Sequence, residues 1–207
     1  DYCVPANAEL TKGVVIPLPI DIHHFTFKER QDGLNIAFIA HLWSSKGIPL
    51  LYQLFAKLRA TTGKDYQLHI LGTRNSENWL HRYLEHIAVE LGIAEHIHYQ
   101  REVPDVNVWL EDKNYLISTS YKDAFSLVVG EAMARGIKTL LHNWWGSKSI
   151  WPEEYIWTTL DECIEKFVNQ PYDSKKYREF IENNYSLDKF MPAWDRLLTN
   201  SALQKNG

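Results

Sequence analysis

The sequence predicts an α/β fold in which a Rossmann-like, doubly wound parallel sheet is followed by C-terminal helices. Strand-sized apolar segments alternate with amphipathic helical segments from residue 34 to residue 157, which is typical of a parallel sheet covered on both faces. Glycine and proline stand where helices should begin and end. The length of 207 residues suits one such domain and is too short for two.

The predicted strands are short apolar runs rich in β-branched and aromatic residues. The first of them, LNIAFIAHL, is followed by a segment with leucines at helical spacing, and the same succession recurs along the chain. The strands are predicted over residues 34–42, 66–72, 97–103, 114–120, 138–143 and 155–157.

The predicted helices lie between these strands and after the last one. Gly47 and Pro49 begin the first helix and Gly63 ends it, while Ser76 is the predicted cap of the second. The remaining helices are a short one after Pro104 and Asp105, one from Ser126 to Arg135 that Gly136 stops, and three in the tail over 159–169, 173–184 and 187–199.

The first 30 residues differ in pattern from the rest. The run VVIPLPIDIHHF at 14–25 carries two prolines and has no helical period, so it is predicted to be an extended segment. Residues 1–30 are therefore interpreted as a linker, and residues 31–207 as the domain with its helical tail.

Composition excludes several classes of protein. A formal net charge of −4 argues against a general nucleic-acid or anionic-membrane binder, and no apolar run approaches the roughly 20 residues of a membrane helix. Cys3 and Cys163 are far apart, which predicts neither a disulfide framework nor a zinc site. The histidines have no partners at a ligand spacing, so no metal is expected. We expect a reduced, cytoplasmic protein.

The stretch YKDAFSLVVGEAMARG at 121–136 is the most informative part of the chain. It runs from the end of a strand into a helix, where ligands of doubly wound sheets bind, and unpaired amides at a helix start favour an anion such as a diphosphate. Asp123 and Glu131 could flank that cleft and accept hydrogen bonds from sugar or ribose hydroxyls. From their spacing alone, a helix-start acid and a surface glutamate remain the simpler alternative.

The same stretch resembles the retaining GT-B glycosyltransferases of family four, whose motif reads Glu-Gly-Phe-Gly-Leu, three residues, then Glu-Ala-Met-Ala-x-Gly. Here the motif is DAFSLVVGEAMARG. Asp123 replaces the first glutamate, and Ala124 and Ser126 replace glycines. The matching positions are Phe125, Leu127, Glu131, the run 132–134 and Gly136.

Further elements of the same family follow in the same order. After the first strand, AHLWSSKG is similar to the family's Gly-Arg-Leu, three residues, Lys-Gly. Lys46 stands at the phosphate-binding lysine, and His41 takes the place of the arginine. IPLPIDIHHF resembles the inter-domain linker, and the helix after Tyr185 resembles the terminal helix, so the resemblance covers about residues 14–199.

The resemblance implies that residues 31–207 are the nucleotide-sugar-binding half of a GT-B enzyme that transfers a sugar with retention. Lys46 and the helix-start amides would stabilise the departing diphosphate, Asp123 would bind sugar hydroxyls and Glu131 the ribose, without a metal or other cofactor. These three are the candidate catalytic residues. The candidate donor-binding residues are His41, Phe125, Ser126, Leu127 and Val128.

The implied partners are a nucleotide sugar and a missing N-terminal, acceptor-binding domain, without which this chain should be inactive. Any peripheral membrane association is expected only through that missing half. The main alternative is a non-catalytic nucleotide- or sugar-binding module on the same fold; the absence of Gly-x-Gly-x-x-Gly after the first strand disfavours an oxidoreductase. Trp144 and Trp145 could line the cleft, contact the missing domain or lie in the core.

Overall fold

The computed structural model of the chain describes residues 17–73 and 78–203. The predicted cap Ser76 and the cysteine Cys3 lie outside these ranges. Within them, the parallel strands form one sheet in the order β3-β2-β1-β4-β5-β6. The strands are β1 (Asn35–Ile39), β2 (Gln67–Leu71), β3 (Ile97–Gln100), β4 (Tyr115–Ser118), β5 (Lys138–His142) and β6 (Ile156–Trp157).

This strand order confirms the predicted doubly wound, Rossmann-like sheet. The chain moves outwards from β1 to β3, then returns to pair β4 with the other side of β1. The carboxyl ends of β1 and β4 therefore bound the crevice at which such sheets bind ligands. Every residue of β4 is buried, as expected for a central parallel strand covered on both faces.

Helices cover both faces of the sheet. One core packs α1, α2 and α5 against the sheet, and the second core packs α3, α4 and α6 on the opposite face. The described helices are α1 (Ile48–Thr62), α2 (Asn78–Glu90), α3 (Val106–Trp109), α4 (Leu127–Ala134), α5 (Leu160–Asn169), α6 (Ser174–Tyr185) and α7 (Leu187–Leu203).

Polar side chains cap the first turns of three helices. The side chains of Asp105, Thr159 and Asp173 each accept a hydrogen bond from an amide in the first turn of α3, α5 and α6, which stabilises those turns. The tail helix α7 extends beyond the predicted residue 199 to Leu203. No helix within residues 17–73 and 78–203 is long and apolar enough to cross a bilayer.

The segment before β1 packs tightly onto the domain. Ile20 is buried; its amide donates to the carbonyl of Tyr185 at 2.7 Å, and its own carbonyl accepts from the amide of Leu187 at 2.9 Å. The predicted extended course is interrupted at residues 22–24 by a turn. That turn forms because the Asp21 carboxylate accepts hydrogen bonds from the amides of His23 and His24.

Candidate functional site

Lys46 and Asp123 meet at the carboxyl edge of the sheet. Lys46 follows β1 and Asp123 follows β4, so the two residues come from the neighbouring strands that bound the crevice. The ammonium nitrogen Nζ of Lys46 lies 3.1 Å from Oδ2 of Asp123, and the side chains are only 23% and 17% exposed. The fold thus brings two of the three candidate catalytic residues into contact.

Backbone contacts fix the loop that carries Lys46. The hydroxyl of Thr119 donates to the carbonyl of Lys46 at 2.8 Å, and the amide of Tyr121 donates to the carbonyl of Ser45 at 2.9 Å. Gly47 has φ +64°, and a Cβ on it would lie 2.2 Å from the carbonyl oxygen of Thr119. This close approach of the two loops requires glycine and determines where Lys46 stands.

Asp123 also caps the start of α4. Its Oδ1 accepts hydrogen bonds from the amides of Ala124 at 2.9 Å and Ser126 at 3.2 Å. Ser126 precedes the helix with φ 66°. It is the only non-glycine residue with a positive φ in the described part of the chain. Because serine is strained in this conformation by about 1 kcal/mol or more, the glycine of the resembling motif would be the more relaxed residue here.

The neighbouring candidate donor-binding residues differ in what they can offer. The Phe125 ring is buried against Trp151, whose indole nitrogen donates to the carbonyl of Phe125 at 3.0 Å. Phe125 therefore has only its backbone available to a ligand. Leu127 is exposed and Val128 is half-buried, and both belong to the first turn of α4, whose amides lack partners within the helix.

Glu131 lies four residues into α4, just over one turn from its first residue, and is half-buried. Burial raises the pKa of its carboxyl group, and the nearby imidazole of His24 opposes that rise. Nε2 of His24 is 3.3 Å from Asp105, which follows β3. Within the described residues the Glu131 carboxylate makes no hydrogen bond, so it can accept one from a ligand.

His41 is at the end of β1, as predicted, but its contacts lead away from Lys46. Its Nδ1 lies 2.5 Å from the hydroxyl of Thr73, after β2, and its ring stacks on Trp43 at 5.8 Å between centroids. The exposed imidazole thus bonds to the loop after β2, whereas Lys46 bonds to residues that follow β4.

The two adjacent tryptophans after β5 have opposite environments. Trp144 is buried in the core at 4% exposure, whereas Trp145 is 77% exposed. Among the residues that the structure describes, no three His, Cys, Asp or Glu side chains are grouped so that they could hold a metal ion.

The sequence profile of the group 1 glycosyl transferases matches residues 19–187. The chain belongs to this family. No curated protein sequence is significantly similar to it. The match spans β1 to α6 and contains every candidate site residue.

Solved glycosyltransferase structures share the fold of this group 1 glycosyltransferase. A glycosyltransferase of Rickettsia africae superposes with a TM-score of 0.77 at 16% identity, covering 94% of this chain and 58% of its own. HepE of Anabaena, in complex with UDP and glucose, gives 0.77 at 12%, covering 88% and 55%. The C-terminal domain of the Francisella tularensis group 1 protein LpcC gives 0.62 at 17%, covering 80% and 94%.

The chain thus has the fold of one Rossmann-like half of a GT-B glycosyltransferase, and it spans little more than half the length of the first two structures. Motif matching located Lys46, Asp123 and Glu131 in this glycosyltransferase. The motif does not include Thr119, whose buried hydroxyl donates to the carbonyl of Lys46 and so holds the Lys46 loop. The small polar run STS at the end of β4 was the available signal.

Proposed function

We propose that this glycosyltransferase domain binds the nucleotide diphosphate sugar from which a sugar is transferred with retained configuration. The observation that supports this most is the Lys46–Asp123 pair at the start of α4. A cation and the unpaired amides of a helix start form an environment in which a diphosphate is stable. Such a preorganised environment stabilises the charge that develops on a leaving diphosphate.

In this proposal Lys46 and the amides of residues 125–128 bind the diphosphate, Asp123 binds hydroxyls of the sugar, and Glu131 binds the ribose. The positive charge comes from the protein itself, so donor binding should need no metal cofactor. Because the Asp123 carboxylate is bonded to the amides of its own loop and to Lys46, it would exchange these bonds for bonds to the donor.

Transfer would require a second, acceptor-binding domain, and we propose that the chain alone does not turn over. Support comes from apolar residues that the domain leaves exposed: Met191, Trp194 and Leu198 lie on one side of α7 at 44%, 39% and 66% exposure. Turnover of an acceptor by the chain alone, at about 1 per second or faster as in ordinary enzymes, would contradict this proposal.

A non-catalytic nucleotide-sugar-binding module is the second candidate. Two observations favour it: His41 is tied to Thr73 instead of lying free beside the crevice, and Asp123 already has partners for both oxygens. Both candidates predict donor binding. They differ once an acceptor domain and an acceptor are supplied, because only the enzyme would then release nucleoside diphosphate.

The proposed ribose contact predicts a distinctive result for Glu131→Gln. We expect weaker binding of a nucleoside diphosphate and of its sugar conjugate by the same factor, about threefold to tenfold for a lost charge-assisted bond. Stability should rise at neutral pH: burial raises the folded-state pKa of Glu131, so its ionisation costs stability as pH rises through that pKa. Glutamine removes this cost.

Calorimetric titration with UDP, GDP, ADP and their glucose conjugates, in the presence of a chelator, measures the binding; thermal unfolding at neutral pH measures the stability. Glu179→Gln, an exposed glutamate of α6, is the matched control and should change neither. No binding of any nucleotide by the wild type would reject the proposed function, and a Glu131→Gln effect on only the conjugate would reject the ribose assignment.

Asp123→Asn should separate the two ligands. The free nucleoside diphosphate should bind as well or up to about fivefold better, because a like charge is removed and Lys46 is released. The affinity for the sugar conjugate should fall about fivefold to tenfold relative to the affinity for the free nucleoside diphosphate, because the charged acceptor for sugar hydroxyls is removed. The same titrations measure both. Equal effects on nucleotide and conjugate would exclude Asp123 from the sugar.

A further inference from the structure

We infer that the phenol hydroxyl of Tyr121 binds the diphosphate of the donor beside Lys46. The inference rests on the proposed function, and it assigns a role to a residue outside the positions that match the family motifs. Tyr121 follows β4 and stands two residues before Asp123. It is 51% exposed, so a ligand in the crevice can reach its side chain.

Tyr121 packs onto the loop that carries Lys46. Its amide donates to the carbonyl of Ser45, the residue before Lys46, at 2.9 Å. Gly47 follows Lys46, and a Cβ added there would lie 3.2 Å from Cζ of the Tyr121 ring. Cζ is the ring carbon that bears the hydroxyl. The polar end of the phenol therefore lies beside the residue next to Lys46.

The ring of Tyr121 is held from its other side by His142, at the end of β5. The two ring centroids are 5.8 Å apart with the ring planes at 77°, which is an edge-to-face contact. His142 packs in turn on the buried Trp157, with the centroids 4.8 Å apart. These contacts fix the aromatic ring and do not use the hydroxyl, which makes no hydrogen bond to any residue within 17–73 and 78–203.

A phenol hydroxyl at this point suits a diphosphate. The O–H group can donate to a phosphate oxygen, and a bond to a charged acceptor is stronger than one between neutral groups. A diphosphate has more acceptor oxygens than the ammonium group of Lys46 can satisfy, and the imidazole of His41 is bonded to Thr73 after β2. Tyr121 supplies a further donor on the side of the crevice that faces β4 and β5. Burial lowers the pKa of His142, so its imidazole is neutral at pH 7 and adds no positive charge there.

The test compares Tyr121→Phe with the matched control Tyr83→Phe. Phenylalanine keeps the ring against Gly47 and His142 and removes only the hydroxyl. Tyr83 is 39% exposed on α2. Each protein is titrated by calorimetry with whichever of UDP, GDP and ADP binds the wild type, and with the glucose conjugate of that nucleotide. Thermal unfolding should show both variants to be as stable as the wild type, as expected for changes at exposed positions.

We expect Tyr121→Phe to weaken the nucleotide and its conjugate by the same factor, about threefold to tenfold for one lost hydrogen bond. Tyr83→Phe should bind both like the wild type. The inference is overturned if Tyr121→Phe binds both ligands like the wild type, or if it weakens only the conjugate, because the hydroxyl would then face the sugar. In either case nucleotide binding by the wild type leaves the proposed function standing. A wild type that binds no nucleotide would reject the proposed function and this inference with it.

Discussion

Lys46→Ala should lower the affinity for a nucleoside diphosphate about tenfold to a hundredfold. The Lys46 side chain is only 23% exposed and lies at the start of α4, where a charge-assisted bond to a diphosphate contributes roughly 1.5–3 kcal/mol. The loss should be the same for the nucleotide and its sugar conjugate, because both carry the diphosphate. Isothermal titration calorimetry measures it directly.

The matched control is Lys122→Ala, which removes an exposed cation one residue before Asp123. This variant tests whether general positive charge near the crevice accounts for the effect, and it should change the affinity less than about twofold, as expected for a screened surface charge. Similar losses in the two variants, or none in Lys46→Ala, would remove Lys46 from the diphosphate site.

Gly47→Ala should destabilise the domain by roughly 3 kcal/mol or more. About 1–2 kcal/mol comes from a side chain at φ +64°, and the rest from the collision of its Cβ with the carbonyl oxygen of Thr119, since packed loops yield only at a cost. Gly63→Ala is a close control, because Gly63 has φ +65° and open space around it. That variant should show the backbone cost alone.

Urea unfolding of both variants gives the two free energies. Gly47→Ala should also bind nucleoside diphosphate more weakly, since the loop that it displaces carries Lys46, whereas Gly63→Ala should bind normally. If both substitutions cost the same free energy of unfolding, the close approach of Gly47 and Thr119 is not a constraint on the fold.

The fold was predictable because parallel strands that are buried on both faces have continuous apolar sequences. All six predicted strands are present, each trimmed by one or more residues at its ends, and the glycines at 47 and 63 mark the ends of α1 as expected. Lys46 and Asp123 were assigned to one site through a family motif, and their contact follows from the adjacency of β1 and β4.

Other features depend on contacts between distant segments, which no local pattern records. Trp144 and Trp145 are identical residues in adjacent positions, and a loop has no period that would assign one to the core and the other to solvent. Likewise, the spacing of Asp123 allowed a helix-start acid as well as a ligand-binding one, and it did not show that the carboxylate bonds both to the amides of its own loop and to Lys46. His41 is tied to Thr73, 32 residues away.

The contact between Ile20 and Gly130 packs the segment before β1 against α4, the helix that carries Glu131. A Cβ at Gly130 would lie 2.8 Å from Cδ1 of Ile20, so the helix has a notch that this isoleucine fills. A shortened chain that starts at residue 31 would leave the notch empty and expose the surface covered by Phe25, which is itself 8% exposed. A chimaera that fuses this domain to another protein should therefore have its junction before residue 20.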